Sequence, residues 1–416
     1  MKIWILQTGE PMHCDNGVPR PMRAMNLAET MAERGHSVTV WTSSFYHQEK
    51  RHRSQKFAEI RVSDRISNYL VPSPGYQRNV GVGRLFDHAV LGMNLSRLLN
   101  SGSFEPPDVA FIGFPPIETA FVMERWLRKR GVGVMLDAKD EWPDIFLQPI
   151  PGPFKLMGRI LLAPYFLLAE STFRNAHSYC SMSDAFVDWM CLRGGRPRRE
   201  SDHVAPLTSQ RYAITESQRD DAVKWWSAQG VDLSKLNRVC FVGSFTSAFD
   251  FGIVRNLACR SLKDEKSCEF VICGDGDQSE TVMKLLGDLP NVRLPGWVNR
   301  PRAEVLYEAS VAMIAPYSSS YPFTRVVPNK IVDALRTGLL ILTTLGGTTE
   351  ELVREHSVGI SSTELDELYL RLVQAVTDSN HRAKVQEAGH SAYEKLFRHD
   401  HVYGGLAEKL ELLAGA

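Results

Sequence analysis

Several features that would assign this 416-residue chain to a class of proteins are absent from its sequence. Lysine plus arginine equals aspartate plus glutamate at 48 each, so no excess charge indicates nucleic acid or an anionic surface as a partner. The seven cysteines show neither metal-ligand spacing nor a disulfide pattern, which favours a reducing, cytoplasmic setting. The most apolar stretch, residues 156–168, contains Arg159 and Pro164 and is too short to span a bilayer. Because strand-like residues begin the chain, no signal peptide is expected.

What the sequence does contain is an alternation of strand and helix patterns. Apolar, strand-like runs recur in the first half, with helical patterns such as 22–35 between them, at residues 2–7, 37–43, 108–114, 133–138 and 177–182. Residues 193–210 are rich in Arg, Gly, Pro and Ser and are interpreted as a linker. Beyond them the strand-like runs are 238–243, 269–274, 291–296, 311–317 and 339–344. This pattern predicts an α/β fold with two Rossmann-like, doubly wound parallel-sheet domains that face a cleft.

Four segments of the second half follow predicted strands and carry glycine, aromatic or basic residues. They are "GSF" (243–245), "CGDGDQSE" (273–280), "PGWVNRP" (295–301) and "VVPNKIVDALRTGLLILTTLGG" (326–347). Glycines let a backbone approach a ligand, and helix N-termini attract anions, most often phosphates. We expect Pro328 to start a helix whose first turn holds Asn329 and Lys330, near the turn of Gly346 and Gly347. The alternative is a proline-capped helix with a surface lysine.

Motifs for several other enzyme classes are missing. "CGDGDQ" lacks the third glycine of a dinucleotide fingerprint, and no Walker loop is present, so a nicotinamide enzyme or a P-loop ATPase is not expected. No Asp-x-Asp motif occurs, because "LDAKD" spaces its carboxylates three residues apart. The sequence therefore predicts no metal site and no cofactor.

Three segments, in order, resemble those of retaining GT-B glycosyltransferases of family 4, of the type that builds bacterial O-antigen, capsule or exopolysaccharide. They are "MLDAKDEWPDIF" (135–146), "RNAHSYCSMSDAFVDWM" (174–190) and "PNKIVDALRTGLLILTT" (328–344). The resemblance implies an N-terminal acceptor-binding domain at 1–200 and a C-terminal domain at 204–397 that binds a nucleotide sugar. It also implies that a helix at about 398–416 packs back on the first domain.

For the reaction, the resemblance implies metal-independent transfer of a sugar from a nucleotide diphosphate to a glycan or a polyprenyl-diphosphate-linked acceptor. The "DEWPD" segment is similar to transferases acting on N-acetylated or deoxy sugars, so a UDP-sugar is the expected donor. The donor-binding residues expected on this basis are Gly17, Gly243, Ser244, Gly274, Gly276, Trp297, Val298, Asn329, Lys330, Asp333, Gly347 and Thr348.

The chain departs from the family pattern at two places. The Glu–x7–Glu motif has Arg325 at its first position and Asp333 at its second, where a shorter carboxylate can still accept hydrogen bonds from ribose hydroxyls. The family's Arg and Lys pair after the first strand of the second domain is also missing. The charge of the leaving diphosphate would then fall to Lys330 and Arg325, which with Asp140 are the expected catalytic residues.

In the first half, the loop at 7–23 and the "DEWP" turn supply the acceptor candidates, which are His13, Asp15, Arg20 and Trp142. Asp140 is a candidate acceptor-binding carboxylate or base; the alternative is a helix N-cap. Trp142 could stack on a sugar or form a rigid turn with Pro143, and the loop residues could simply be solvated. His88 is expected to be a packed or solvated helix residue.

Two questions stay open at the level of sequence. Residues 152–174 alternate cationic and apolar patches, and 47–56 form a basic loop, so both could contact the inner face of the plasma membrane; the alternatives are a buried helix and a solvated loop. The rival functions are a UDP-N-acetylglucosamine 2-epimerase-like GT-B enzyme and a non-catalytic nucleotide-sugar-binding partner, because fold alone does not decide chemistry. No nucleic-acid partner is expected.

Overall fold

The computed structural model describes residues 1–15, 21–78, 81–210, 212–264, 268–318 and 323–415. The chain divides into two compact units. The first contains Met1–Ala205 together with Asp400–Ala416, and the second contains Pro206–His399. The backbone therefore passes from one unit to the other at residues 205–206 and returns at residues 399–400.

The first unit is built on a mostly parallel sheet flanked by helices. Its strands are β1 (Lys2–Leu6), β2 (Ser37–Ser43), β3 (Phe45–Tyr46), β4 (Arg51–His52), β5 (Ala58–Arg61), β6 (Ile66–Val71), β7 (Val109–Phe114), β8 (Gly133–Ala138), β9 (Ser178–Ser181) and β10 (His203–Val204). Its helices include α1 (Arg23–Glu33), α2 (Val82–Leu99), α3 (Ile117–Arg128), α4 (Lys155–Leu161), α5 (Ala163–Asn175) and α6 (Asp184–Gly194). The strand order is β10-β9-β8-β7-β1-β2-β6-β5, and β5 at the edge is antiparallel to β6.

The second unit repeats this architecture. Its strands are β11 (Arg238–Val242), β12 (Glu269–Cys273), β13 (Val292–Gly296), β14 (Ala312–Ala315), β15 (Leu340–Thr343) and β16 (Gly359–Ser361). Its helices are α7 (Glu216–Ala228), α8 (Phe251–Leu262), α9 (Ser279–Leu286), α10 (Arg300–Glu308), α11 (Asn329–Thr337), α12 (Thr348–His356), α13 (Leu365–Thr377) and α14 (Ser379–Leu396); α15 (His399–Ala414) then joins the first unit. The parallel strands run in the order β13-β12-β11-β14-β15-β16.

Alternate residues of each central strand enter the core on opposite faces of its sheet. In β1, Trp4 belongs to one buried cluster, whereas Ile3 and Ile5 belong to the other. Such two-sided burial is typical of parallel sheets covered by helices on both faces. The predicted class, two Rossmann-like, doubly wound parallel-sheet domains, is confirmed.

Both sheets reverse their winding at a central pair of strands. In the first unit the chain moves outward from β1 on one side and from β7 on the other; in the second, the corresponding pair is β11 and β14. Ligands of doubly wound sheets bind beyond the carboxyl ends of the strands at such a reversal. In each unit, the polar residues at the carboxyl ends of this strand pair are therefore the ones expected to contact a ligand.

The structure differs from the sequence-based predictions in two local details. The segment interpreted as a linker contains the end of α6 and strand β10, whose residues pair in parallel with β9. Pro328 is the N-cap of α11 with an extended ψ of 156°, and Asn329 is the first helical residue. A proline at this position still costs no intrahelical hydrogen bond, because its missing N–H would have had no partner inside the helix.

Candidate functional site

In the second unit, Lys330 lies at the carboxyl end of the central strand β11. Its Nζ donates to the backbone carbonyl of Val242 at 2.5 Å and lies 4.2 Å from the centre of the Phe241 ring. Gly243 has φ +155°, and a Cβ placed on it would come within 1.7 Å of Nζ. The glycine is therefore required for the ammonium to reach this strand end.

Gly274 and Gly276, predicted to bind the donor, also have a packing role in the structure. A Cβ on Gly274 would lie 2.0 Å from the Gly243 carbonyl oxygen, and one on Gly276 would lie 2.5 Å from the Phe245 carbonyl oxygen. The space that the missing side chains leave is filled by the neighbouring loop of the protein. These glycines pack the loops after β11 and β12 against each other, and they position Gly243 beside Lys330.

Asp333 lies one turn after Lys330 on α11 and is 8% exposed. Its Oδ1 accepts a hydrogen bond of 2.5 Å from the Ser209 hydroxyl, which also accepts a bond of 3.1 Å from Arg336 Nε. The charge of Asp333 adds to the effect of burial in raising the pKa of Tyr317, which follows β14. The carboxylate is thus held in place by the chain segment that enters the second unit.

Helix α12 begins shortly after the carboxyl end of the neighbouring strand, β15. Gly347 is the N-cap of α12 with φ +70°, where a Cβ would lie 2.2 Å from the Thr324 carbonyl oxygen. Thr348 begins the helix, and the buried Thr349 hydroxyl donates to the Val326 carbonyl at 3.2 Å. This bond links the start of α12 to the segment that leads into α11. The positive end of the α12 dipole therefore lies at the same sheet edge as Lys330.

The remaining predicted residues of the second unit are also at this edge. Trp297 follows β13 and is 69% exposed, whereas Val298 beside it is buried. Ser244 is exposed, and Asn329 is half-buried in the first turn of α11. Arg325 is half-buried in a short 3-10 turn, and burial lowers the pKa of its guanidinium. An exposed indole face at a strand end is suited to stacking on a planar ring.

The first unit has a cavity of about 230 Å³ at the carboxyl ends of β1, β2, β7 and β8, here called the first-unit cavity. It is lined by Gln7, Thr8, Gly9, Glu10, Met22, Ser43, Phe45, His47, Tyr76, Arg84, Asp87, His88, Leu91, Pro115, Pro116, Lys139 and Asp140. Asp140 is therefore in the cavity, as the sequence predicted for a strand-end carboxylate.

Burial changes the proton affinity of several groups in the first-unit cavity. It raises the pKa values of Asp140 and Asp87, although Arg84 acts in the opposite direction on both. It lowers the pKa of His47 to about 4 and that of His88 to about 3, and Arg84 contributes to both shifts. The cavity thus holds two imidazoles that are neutral at pH 7 beside carboxyl groups.

Sequence reasoning missed the part of this cavity that α2 supplies. Arg84, Asp87 and His88 have the i, i+3, i+4 spacing that places side chains on one helical face. His88 is 5% exposed, its ring centre is 5.5 Å from that of Trp142, and its Nδ1 is buried without a hydrogen-bond partner. Tyr76 donates its hydroxyl to His47 Nδ1 at 2.7 Å. The spacing on α2 was the available signal.

Three acceptor candidates have structural surroundings that the sequence did not show. Trp142 is 5% exposed, and its ring centre lies 4.5 Å from that of Phe146. Its ring therefore has little surface open to a sugar. Asp15 forms a buried, two-point ion pair with Arg53 at 2.6 and 2.7 Å. His13 lies 3.3 Å from Glu29. Packing therefore accounts for Trp142 and Asp15 without a ligand.

Gly17 and Arg20, predicted for the donor and the acceptor, lie outside the described residues. Glu10, which belongs to the same loop between β1 and α1, is among the described residues. Its Oε2 accepts from the backbone N–H of Ala24 at 2.9 Å at the start of α1, and Oε1 pairs with Lys139. Lys139 therefore carries a compensated charge at the cavity wall.

The two carboxylates of "LDAKD", Asp137 and Asp140, lie in different surroundings, since Asp140 lines the first-unit cavity and Asp137 does not. Asp137 is fully buried and forms a two-point ion pair with Arg23 at 2.7 and 2.8 Å, and Arg23 also donates to the Ala205 carbonyl at 2.6 Å. Among the residues that the structure describes, no group of three His, Cys, Asp or Glu side chains could hold a metal ion.

A known protein family matches part of the second unit in sequence. Residues 237–378 match the family described as Glycosyl transferases group 1, a segment that lies inside the second unit and contains Gly243, Lys330 and Asp333. No curated protein matches the chain in sequence.

Solved structures resemble the chain along its whole length. Sucrose-phosphate synthase from Thermosynechococcus elongatus has a TM-score of 0.70 at 12% identity, with 100% of both chains covered. HepE from Anabaena, solved in complex with UDP-glucose, has a TM-score of 0.63 at 15% identity and covers 99% of this chain and 100% of that one. WaaG, a glycosyltransferase involved in lipopolysaccharide biosynthesis, has a TM-score of 0.63 at 16% identity, with 99% of each chain covered.

At these identities the likeness establishes the fold. The second unit therefore carries a segment of the glycosyl transferases group 1 type within a chain that has the two-domain GT-B fold, and together they support a glycosyltransferase.

Proposed function

We propose that this chain is a retaining, metal-independent glycosyltransferase of the family 4 type. It moves a sugar from a UDP-linked donor, an N-acetylated or deoxy hexose, to a lipid-linked or glycan acceptor in bacterial surface polysaccharide synthesis. The observation that carries the proposal is the placement of Lys330 beside Gly243 at the carboxyl end of β11. The structures of HepE with UDP-glucose and of WaaG support the choice of donor and pathway.

In the proposed reaction, the donor lies along the strand ends of the second unit. Lys330 and the N-terminus of α12 stabilise the negative charge that develops on the leaving diphosphate, which is the main electrostatic requirement of this transfer. Asp333 accepts hydrogen bonds from the ribose, and Trp297 with Val298 contacts the base. Arg325 adds a second cation for the diphosphate or for an acidic sugar. No residue is assigned as a nucleophile.

The acceptor binds in the first-unit cavity in this proposal. Asp140 accepts a hydrogen bond from the acceptor hydroxyl, and burial, which raises the pKa of its carboxyl, makes it a better proton acceptor than a solvated carboxylate. Arg84 and Lys139 lie in the same cavity and limit the rise of that pKa. Holding the hydroxyl in place contributes by proximity and orientation.

A lipid-linked acceptor fits an apolar surface on the first unit, here called the α4–α5 patch. It comprises exposed side chains of Phe154, Leu156, Met157, Ile160, Leu161 and Leu167, each at least 56% exposed. Lys155 and Arg159 lie among them, and residues 145–169 contain no acidic residue. We propose that this patch contacts an anionic membrane surface.

Helix length and composition bear on the kind of membrane contact that the helices at this patch can make. In the described part of the chain, no single helix is long and apolar enough to cross a bilayer; one pair, Gly152–Leu161 and Ala163–Asn175, passes the length and composition test together but is bent by 72°. The proposal is therefore restricted to contact with the surface.

In the basic loop at 47–56, three of the four Lys and Arg side chains have partners within the first unit, whereas Lys56 is exposed. Arg53 is buried in its ion pair with Asp15, and Arg51 pairs with Glu49. Lys50 lies 4.6 Å from the Tyr76 ring centre and 3.2 Å from His47. These cations are engaged within the unit.

Calorimetric titration with UDP, GDP and ADP tests the donor. We expect UDP to bind most tightly, and tighter binding of GDP or ADP would contradict the proposal. Turnover of a UDP-sugar with a lipid-linked acceptor then separates a transferase from a non-catalytic partner. Release of free UDP and an epimerised sugar without any acceptor would instead identify the epimerase-like activity.

A further inference from the structure

A second cavity, of about 390 Å³, lies at the open edge of the second sheet and is here called the edge cavity. It is bounded by β16, by Glu350 and Arg354 of α12, by Arg371 of α13 and by His381 of α14. None of the residues proposed to bind the donor lines it. Its volume falls in the range of small-molecule sites.

The two arginines of the edge cavity, Arg354 and Arg371, are exposed to solvent and have no carboxylate within ion-pair distance among the described residues. The Arg354 guanidinium forms no hydrogen bond with a described residue, and the Arg371 guanidinium bonds to the neutral Gln374 side chain at 3.2 Å. Most arginines elsewhere are paired with carboxylates, for example Arg238 with Glu269 and Arg255 with Asp288. The single acidic residue lining the cavity is Glu350.

Polar groups with unused hydrogen-bonding capacity accompany these arginines. The Nε2 atom of His381 is buried and has no hydrogen-bond partner. Ser357 and Ser361 line the cavity as well; the Ser361 hydroxyl already donates to the Leu345 carbonyl at 2.8 Å, so its oxygen can accept a bond from a ligand hydroxyl and offers no donor to an anion. A group that offers several negatively charged oxygens would satisfy both guanidinium groups at once.

We infer that the edge cavity binds the phosphate group of a small phosphorylated metabolite. Arg354 and Arg371 supply charge-assisted hydrogen bonds to the phosphate oxygens, and His381 contributes a further nitrogen. The cavity is larger than inorganic phosphate requires, so the phosphate is attached to an organic group about the size of a sugar. This site is independent of the proposed donor site and does not require that the proposed function be correct.

Isothermal titration calorimetry on the full chain tests the inference, with glucose 6-phosphate, inorganic phosphate and glucose as probes. We expect glucose 6-phosphate to bind more tightly than inorganic phosphate, and glucose to give no binding. The Arg354→Ala/Arg371→Ala double variant should bind glucose 6-phosphate at least ~10-fold more weakly, since hydrogen bonds to charged groups are strong. The Lys224→Ala variant, which removes an exposed positive charge on α7, should bind like the wild type.

Two controls separate this site from others. Lys330→Ala should keep glucose 6-phosphate binding, so a failure of the proposed donor site leaves this measurement unaffected. Melting temperatures without ligand show whether the double variant folds; if it does not, each single variant is titrated instead. Absence of binding by the wild type, or equal binding by folded arginine variants, overturns the inference. The inference is also overturned if the wild type binds phosphatidylglycerol vesicles and not glucose 6-phosphate, and if this vesicle binding requires the two arginines.

Discussion

At the scale of single residues, the pair formed by Lys330 and Gly243 connects the fold with the proposed chemistry. The lysine is on α11, yet its ammonium lies at the end of β11, because the glycine leaves it room. A lysine used only for solubility would not require that the residue 87 positions earlier, Gly243, lack a side chain. This interdependence gives two substitutions whose effects can be compared.

Lys330→Ala should reduce kcat by about 100-fold, the typical loss when one group that stabilises developing charge is removed. Steady-state kinetics with the UDP-sugar measures this change, and the melting temperature monitors folding. Lys224→Ala, which removes an exposed charge from the same unit, is the matched control. A folded Lys330→Ala enzyme with near wild-type turnover would show that the lysine does not act on the diphosphate.

Gly243→Ala extends this test, because its Cβ would meet Nζ at 1.7 Å and displace the lysine. If the glycine acts through Lys330, the double variant should be no slower than the slower single variant. Multiplying losses in the double variant would instead indicate that the two residues act separately.

His88 gives a prediction about pH. Burial lowers its pKa from the ordinary 6.5 to about 3, so between these values the unfolded chain binds a proton that the folded chain does not. The free energy of unfolding therefore falls as the pH drops below 6.5, by about 2 kcal/mol between pH 7 and pH 5 for this residue. The His88→Asn variant should lose less free energy of unfolding between pH 7 and pH 5 than the wild type. Urea unfolding followed by tryptophan fluorescence measures this difference. An unchanged pH dependence would mean that folding does not lower the pKa of His88.

At the scale of secondary-structure elements, helix α11 positions two of the proposed site residues in its first two turns. Its first turn presents Lys330 to the strand end, and its second turn holds Asp333 against Ser209. Residues three apart on a helix share a side, so a single rotation of the helix would displace both groups.

Asp333→Asn should raise the KM for the donor about 10-fold with a smaller effect on kcat, since it weakens hydrogen bonds made by a charged acceptor. Ser209→Ala is the structural comparison, because it keeps the carboxylate but removes its 2.5 Å partner. That variant should lower the melting temperature and leave the KM within about 2-fold of wild type, as expected for loss of one hydrogen bond worth ~1 kcal/mol. If both variants changed the KM alike, the ribose contact of Asp333 would be in doubt.

The α4–α5 patch gives the second prediction at this scale. Leu156→Ser, Ile160→Ser and Leu161→Ser together should weaken binding to phosphatidylglycerol vesicles by at least ~100-fold, because each buried large apolar side chain contributes ~1.5–3 kcal/mol. These side chains are 65–75% exposed, so folding should not suffer. Leu370→Ser, at a position 68% exposed on α13, is the control in a vesicle sedimentation assay. Equal sedimentation of both variants would remove the patch as the membrane contact.

At the scale of the whole molecule, the proposed metal-independent transfer gives a prediction about divalent ions. In the proposed function, Lys330 and the α12 N-terminus neutralise the diphosphate in place of a metal. Activity should then survive EDTA. Loss of turnover on chelation that manganese or magnesium restores would contradict this prediction.

The sequence predicted the sheets far better than the ion pairs. Residues 37–43 and 133–138 were predicted as strands with the bounds that β2 and β8 have, because near-continuous apolar runs indicate buried parallel strands. The partner of Asp15 is 38 residues away and that of Asp137 is 114 residues away, and no local pattern reports such pairings. The cavity residues on α2 share one helical face by their spacing, but only the fold brings that face to the strand ends.

The return of α15 to the first unit has a consequence for the order in which the protein is completed. Tyr403, Leu406 and Leu410 are at most 3% exposed and share a buried cluster with Ile3 and Ile5 of β1. A ribosome releases residues 400–415 only after the entire second unit has been synthesised. The unit that emerges first therefore finishes last, and until then the apolar face of its opening strands is covered by α1 without α15. Expression of residues 1–205 alone would leave the part of that face under α15 open to solvent.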